Sequence, residues 1–465
     1  MTANEYEITL GGADFILIPV STSQAWVPES IDGSGISGLC AVLRFPGDFS
    51  TGKITLVGNF SEHVGEHMKV EHARLCTAAI AIAAAVILLG SVGNAQLNLV
   101  YVNLNIGTQH DGNGVAAYVN DGVGNLTPVA GSPFHTNGTG VAGPSAAGAG
   151  SFDADQQVIV NPEGTLLLAV NGHTNTIASF TINSDGSLSA VAGSPFSSMG
   201  KDPVSLGLFD DVLGKRSVLT VVDKDADPMQ SGGVPRYTSF QVSPLGVITP
   251  ITGSTLNLAA GTNPAQALTD TPLHLVFTDD FKDSPSTITA RRVDKYNGKM
   301  ATISSVDSPD GAVFLGEVLH PSQNIIYAAL PGSGGVAVLD FDTTGNLSIA
   351  NTVPNVGSVL CWLAVNPEGT RLYTGNTMDG TVTVLDITSP NDPVIIQLFQ
   401  LSGTQPHTLS VAVDPTDQFL YAIDGESLHV LSINSVDGTL SEPGAPVALP
   451  APSGNQATGL ATLLK

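Results

Sequence analysis

Val160-Asn161-Pro162-Glu163-Gly164-Thr165 recurs, residue for residue, as Val365-Asn366-Pro367-Glu368-Gly369-Thr370. Looser copies are Leu319-His320-Pro321-Ser322-Gln323-Asn324 and Val413-Asp414-Pro415-Thr416-Asp417-Gln418. The prolines at 321, 367 and 415 stand 46 and 48 residues apart, and the 159 residues from Pro162 to Pro321 make three units of 53. A second motif marks another point of the unit. Leu126-Thr127-Pro128-Val129-Ala130-Gly131-Ser132-Pro133-Phe134 returns as Leu188-Ser189-Ala190-Val191-Ala192-Gly193-Ser194-Pro195-Phe196, and more weakly as Ile248-Thr249-Pro250-Ile251-Thr252-Gly253-Ser254. Fixed periods near 50 residues mark solenoids and propellers, whose units bury their apolar faces only by stacking on copies of themselves.

Each unit reads as four short strands. In the sixth, Trp362 to Asn366 is apolar and Pro367-Glu368-Gly369 turns. Leu372-Tyr373-Thr374-Gly375 follows, then Thr381 to Ile387 with β-branched alternation, then Pro393 to Phe399. Four strands per unit is a propeller blade. The spacing predicts an all-β, seven-bladed propeller over 96–465, its second strands starting near Leu99, Leu166, Val218, His274, Ile325, Leu372 and Phe419. The first blade lacks an inner strand at its start. Ala457 to Leu464 follows a complete seventh blade and is predicted to supply it, closing the ring.

One apolar run falls outside this pattern. Leu75 to Val92 carries no charge over 18 residues, follows Lys69 and Arg74, and precedes the small residues Gly93-Asn94-Ala95. That is the form of a secretory signal. The expectation is a start at Met68, a signal peptide over 68–95, and a mature chain from Gln96 with residues 1–67 an over-extended start or a poorly ordered segment. The alternative is a signal anchor that holds the propeller outside the membrane by 75–92. Either way the propeller is expected outside the cytoplasm: periplasmic, extracellular or at the cell surface.

Composition narrows the partners. The chain has 465 residues and a net charge of −25. Nine of the acids and four of the bases precede the predicted cut, which leaves 32 acids, 12 bases and a net −20 in the mature part. Such a charge argues against nucleic acid and anionic lipid. It also disfavours a phosphorylated substrate. Only Cys361 of the three cysteines lies beyond the cut, beside Trp362 in an apolar run, and reads as a buried core residue. No Gly-x-Ser-x-Gly elbow, His-Glu-x-x-His pair or phosphate loop is present. The motifs imply no cofactor and no metal. The Asp223, Asp225 and Asp227 spacing is like the start of a calcium loop, but Pro228 stands where the loop glycine belongs and Val234 where the closing Glu would be. It reads as an acidic, solvated loop. Arg291 and Arg292 alternate on a strand and point to opposite faces.

The repeats, the Val-x-Pro-x-Gly turns and the aromatic-rich second strands resemble those of the secreted seven-bladed propellers called lactonase-like or YVTN-repeat proteins, over roughly 97–464. The resemblance implies the propeller fold and, by way of 6-phosphogluconolactonase, an activity that opens a sugar lactone. Relatives also include lactonising cycloisomerases and secreted proteins without known activity. Enzymatic relatives carry Gly-Pro-Arg-His where an inner strand begins. Here Phe314-Leu315-Gly316-Glu317 lacks both Arg and His, and Thr404-Gln405-Pro406-His407 keeps Pro-His alone.

Inner strands of a propeller run from the top face to the bottom, so the Pro-x-Gly turns are bottom-side and His320 is structural. Polar candidates gather on top. They include His110 and Asp111, the Asn171 to Asn175 loop with His173, Asp223 to Pro228, and Asp279 to Asp283. His407 and Glu317 are the candidate catalytic residues. Gln266, Lys201, Asp202, His173 and Asp279 are the candidate ligand-binding residues. Two functions follow: an exported binding or scaffold module for a small carbohydrate, a lactone or a protein partner, or a lactone hydrolase. The mature chain is expected to be monomeric and free of a membrane span.

Overall fold

In a computed structural model, the described residues are 6–10, 13–17, 42–43 and 56–57, as backbone strands, and 96–465 apart from 108–111, 142–149, 152, 210–216, 231, 281–284, 295–296, 404–406 and 453–455. The chain divides into two compact units, Met1–Gly93 and Asn94–Lys465. In the first, Tyr6–Leu10 pairs antiparallel with Ala13–Leu17, and Val42–Leu43 with Leu56–Val57. The predicted export segment 68–95 lies outside the described residues, as do His110, Asp111 and Thr404 to Pro406. Among the described residues no helix is long and apolar enough to cross a membrane.

The described residues of the second unit form seven antiparallel sheets of four strands. In blades 1, 2, 3 and 7 the outer strand is split in two, so that their sheets count five pieces. Second strands begin at Asn98, Leu166, Ser217, Leu275, Ile325, Arg371 and Phe419, each within one residue of expectation. The inner strands are Thr458–Leu464, Val158–Val160, Pro203–Phe209, Ala267–Asp270, Glu317–Leu319, Leu360–Val365 and Ser410–Val413 for blades 1 to 7. Each blade touches the next around the circle, and Thr458–Leu464 lies against both Ser410–Val413 and Val158–Val160. The C-terminal strand therefore closes the ring by pairing with Asn98–Asn103 of blade 1.

The core lies between blades. Leu99 and Tyr101 pack toward blade 2, while Val100 and Val102 pack toward blade 7. A strand covered on both faces must be apolar on both, which is why second strands such as Leu166–Asn171 read as unbroken apolar runs. Tyrosines stitch the blades together. Tyr101, Tyr327 and Tyr373 donate their hydroxyls to the carbonyls of Gly186, Pro390 and Gly438 in the following blade. Across the closure the Asn120 amide donates to the Tyr421 hydroxyl.

The repeated motifs now have physical roles. In the Asn-Pro-Glu-Gly-Thr turn the side-chain oxygen of Asn366 accepts the N–H groups of Thr370 and Arg371, both at 2.8 Å. Asn161 and Asp414 do the same in their blades. Gly369 sits at φ +69°, the left-handed conformation this turn requires, and Asp417 takes that position in blade 7 at +58°. His320 substitutes for the Asn: its Nδ1 accepts from Ser322 and Gln323, so its Nε2–H donates to the Gly369 carbonyl. The Gly-Ser-Pro motif, Gly-Ser-Thr in blade 3, breaks the outer strand, and its serine repairs the ladder. Ser132, Ser194 and Ser254 accept the N–H groups of Ala117, Ser179 and Ser239 on the third strands.

Candidate functional site

Gln266 stands immediately before the inner strand of blade 4, at the top of the channel, and is 2% exposed. Its Nε2 donates to the Glu317 carbonyl at 2.8 Å and to Gln156 Oε1 at 3.1 Å. Its Oε1 accepts the Glu317 N–H at 2.6 Å. One side-chain amide thus joins the tops of blades 2, 4 and 5. The backbone below it is fixed in turn by Asp279, at the end of the second strand of blade 4, whose Oδ1 accepts the N–H groups of Ala265 and Gln266 at 3.0 and 2.6 Å.

Behind this junction sit buried charges. Glu317 is 2% exposed, and neither carboxyl oxygen has a hydrogen-bond partner among the described residues. Burial pushes its pKa well above the usual carboxylate range, and the charge of Asp279 adds to the effect. Burial likewise pushes Asp279 up to about 7, against the hydrogen bonds it accepts from Ala265 and Gln266 and the charge of Lys224. On blade 3, Asp202 is fully buried and accepts the Ser151 hydroxyl at 2.7 Å and the Ala226 N–H at 3.2 Å. Burial raises it to about 6 in spite of Ser151 and Lys224. Lys224 donates to the Asp153 carbonyl at 2.6 Å and lies in the field of Asp153, Asp279 and Asp202. Burial pushes its pKa down.

Of the seven candidates, the structure gathers Gln266, Asp279, Glu317 and Asp202 with Lys224 at the tops of blades 3 to 5. Lys201 is half-buried on the rim next to Asp202, and its carbonyl accepts the Asp225 N–H. His173 bonds Asp227 through Nδ1 at 2.6 Å, and Gln230 ties the same carboxylate to the His173 backbone. His407 is half-buried, its Nδ1 3.2 Å from the Thr377 carbonyl of blade 6. Among the described residues no hydrogen bond joins His407 to Glu317, so the two candidate catalytic residues do not form one acid–base pair.

One reading needs correction. Asp223 to Asp227 was expected to be a solvated acidic loop, yet Asp223, Lys224 and Asp227 are buried. Blade 2 and the third strand of their own blade cover them: Ser198 of blade 2 and Arg236 of that third strand act on Asp223, and His173 of blade 2 holds Asp227. Among the described residues no three His, Cys, Asp or Glu side chains are placed to hold a metal. The readings of Cys361 and of Arg291 and Arg292 agree with the structure. Cys361 is buried, its thiol pushed up to about 12 by burial. Arg291 is buried over the Tyr237 ring, while Arg292 reaches the carbonyl of Thr344 from the exposed side.

Sequence reasoning missed Gln156, Ser151 and Lys224, which matter only because loops distant in sequence converge. It also missed a charged triad on blade 7. His429 is buried, with Nδ1 2.7 Å from Glu442 and Nε2 3.3 Å from Asp424. Glu442 also accepts the Ser402 N–H, in the segment that leads to His407.

The ring of seven four-stranded blades closed by the C-terminal strand is joined by a match of residues 275–455, blades 4 to 7, to the family described as Lactonase, 7-bladed beta-propeller. That match covers less than half of the chain, and the whole ring has the seven-bladed β-propeller fold that its description names. The chain is 26% identical over 133 residues to the uncharacterized protein YncE of Escherichia coli, a stretch that is 28% of this chain and only 36% of YncE. Among solved structures, the periplasmic gluconolactonase of Pseudomonas aeruginosa superposes with a TM-score of 0.60 at 15% identity, over 79% of this chain and 99% of that one. A protein from Lactobacillus plantarum gives 0.60 at 15% identity over the same shares. At such identities the likeness to these structures is one of fold.

Proposed function

We propose that this lactonase-like propeller binds a small, uncharged or cationic, hydroxyl-rich ligand at the top of its channel and acts outside the cytoplasm. The observation that carries the reading is the Gln266 junction, where hydrogen-bonding groups of three blades meet over buried carboxyls. Convergent polar groups at a concave point of a scaffold are the usual form of a ligand site. Its charge sets the ligand class. Asp153, Asp202 and Asp279 all act on the buried Lys224, and Glu317 lies in the field of Asp279, which disfavours a sugar phosphate or a free sugar acid. A neutral sugar, a lactone or an amino sugar suits it better.

Lactone opening is the second reading. It is favoured by Asp279, which burial raises to about 7, and by Glu317, which burial raises in the same direction, because a protonated carboxyl can donate a proton to a leaving oxygen. Calorimetry with aldonolactones, neutral sugars, amino sugars and sugar phosphates tests both readings. Neutral or cationic members should bind, and Gln156→Ala, a half-buried rim change, should weaken them roughly tenfold, the worth of one hydrogen bond. If a lactone is opened, Glu317→Gln should slow the step by about 10²–10⁴ while His407→Ala stays near wild type. Tight binding of sugar phosphates alone would overturn the charge argument.

Export rests on the sequence of 68–95. Intact mass of the protein from its host should place its first residue at Gln96. Recovery of peptides from 1–67 in exported material would refute the Met68 start.

A further inference from the structure

On the bottom face, opposite the Gln266 junction, a cleft of about 230 Å³ opens between blades 6 and 7. The carboxylates of Glu368 and Asp417 line it with a single guanidinium, that of Arg371. Arg371 is already engaged. Its Nε donates to the Asp437 carbonyl at 2.7 Å, and its Nη1 donates to the Thr370 carbonyl at 2.6 Å and lies 3.4 Å from an Asp386 carboxylate oxygen. Asp417 is half satisfied. Its Oδ2 accepts the Asn366 amide at 2.8 Å, but its Oδ1 has no hydrogen-bond partner among the described residues. A covered acceptor without a donor is costly. Burial raises the Asp417 carboxyl above its usual range, and Glu368 and Asp414 add to this against the Asn366 bond and the Arg371 charge.

The matching place between blades 1 and 2 is filled by the chain itself, and with an ammonium. Asp417 stands in its turn where Gly164 stands in Val160 to Thr165. Ile433 matches Ile182, because the Ile433 N–H donates to the Gln418 carbonyl as the Ile182 N–H does to that of Thr165. Asn366, the first residue after the inner strand of blade 6, matches Lys465, the first after that of blade 1. The Lys465 ammonium crosses to blade 2 and donates to the carbonyls of Gly164 and Ile182 at 2.8 and 3.0 Å. Between blades 5 and 6, His320 crosses in the same sense to the Gly369 carbonyl at 3.1 Å. Asn366 is too short to do as much. Its amide hydrogens go to Thr370 Oγ1 and Asp417 Oδ2, which leaves the Ile433 side of the cleft open.

We propose that this cleft is a second binding site, for a small primary amine, whose ammonium takes between blades 6 and 7 the position that the Lys465 ammonium holds between blades 1 and 2. An ammonium carries three donors and no acceptor. It suits a cleft whose unmet need is a donor and a positive charge, and Arg371, held by its own carbonyls, supplies neither. Blade 2 offers the Lys465 ammonium only carbonyls at these points, whereas blade 7 adds the Asp417 carboxylate and blade 6 that of Glu368. An anion would meet both carboxylates. One ammonium on a small open cleft binds weakly, with a dissociation constant on the order of 1 mM. The site is separate from the channel top and does not rest on the function proposed there.

Calorimetric titration of the full chain with n-butylamine at fixed ionic strength tests the proposal. Tetramethylammonium, of equal charge but without an N–H donor, and inorganic phosphate should each bind at least about tenfold more weakly, the worth of a hydrogen bond to a charged group. Asp417→Asn should weaken butylamine by a similar factor. Both residues tolerate the left-handed conformation at φ +58°, so the turn should stand. Asp417→Gly, which gives this turn the residue found at 164 and 369, should do the same while the melting temperature holds. Gln156→Ala, at the channel top, should leave butylamine binding unchanged. Tetramethylammonium that binds as well as butylamine would mean diffuse attraction to a chain of net −25 and would overturn the proposal. So would binding that both Asp417 variants keep, binding that Gln156→Ala removes, a preference for phosphate, or no butylamine bound at about 10 mM.

Discussion

Removal of residues 457–465 is expected to abolish the cooperative unfolding transition of the propeller. The C-terminal strand makes six register pairs with Asn98–Asn103. Beyond them, Leu97 and Lys465 exchange both backbone hydrogen bonds, at 2.6 and 2.9 Å. The Lys465 ammonium donates to the carbonyls of Gly164 and Ile182 on blade 2, and the Thr462 hydroxyl donates to Val413 on blade 7. The strand therefore belongs to two interblade cores at once, Ala461 and Leu463 facing blade 2, Ala457 and Leu460 facing blade 7. Each of its half-buried leucines is worth less than the roughly 1.5–3 kcal/mol of a fully buried one, and each net backbone hydrogen bond adds about 1 kcal/mol. Their sum rivals the ~5–15 kcal/mol that holds an entire domain. The truncated chain also presents an open edge on blade 1, so aggregation should accompany the loss. Differential scanning calorimetry checks the first effect, and addition of a peptide spanning 456–465 should restore the transition in part. A truncated chain that melts like its parent would show that the ring is held some other way.

The fold was legible because the signals that define it are local. The Asn-Pro-Glu-Gly-Thr turn is built from its own side chain and its own left-handed glycine, so each copy reports a turn without reference to the rest of the chain. The Gly-Ser-Pro motif reports the broken outer strand for the same reason. The site was legible only in part. Gln266, Glu317, Asp202 and Asp279 stand where inner strands begin or second strands end, and strand direction alone puts those points on the top face. What they touch is set by contacts between residues 51 and 110 positions apart, such as Gln266 with Glu317 and Gln156. No spacing within a blade encodes those. The acidic run Asp223 to Asp227 misled for this reason, since a charge run says nothing of which neighbouring loops cover it. His407 misled differently: the Pro-His remnant marked the start of an inner strand, but the imidazole turns to the Thr377 carbonyl.

The chain is expected to be most stable near pH 5 and to lose on the order of 5 kcal/mol by pH 9. Asp202 and Asp279 are raised by burial to about 6 and about 7, and Glu317 is raised in the same direction. A carboxyl whose folded pKa exceeds its unfolded value contributes stability that is fully present below the unfolded pKa, about 4. That contribution is lost as pH rises through 6 to 7. His429 continues the decline. Burial alone would lower its pKa, but the hydrogen bonds to Asp424 and Glu442 outweigh burial and raise it to about 9. Its contribution is complete below the unfolded value near 6.5 and disappears as pH passes 9. Deprotonation leaves Asp424 and Glu442 facing a neutral ring. Lys224, lowered by burial, works the other way and offsets part of the alkaline loss. In acid, Asp424 and Glu442 set the limit, because the bonds to His429 overcome burial and hold both below their usual values, so their contribution fades as they protonate. Urea unfolding at pH steps from 4 to 10 measures the profile. High salt separates it from surface repulsion, which salt screens while buried groups feel it little. Asp202→Asn and Glu317→Gln should flatten the descent between pH 4 and 7, and His429→Gln the descent between 6.5 and 9. Stability that rises from pH 5 to 8, or slopes unchanged in all three variants, would mean that these groups ionise in the folded chain as freely as in the unfolded one. In that case the channel top would be wetter than its burial implies, and a ligand there would meet charged carboxylates and no proton donor.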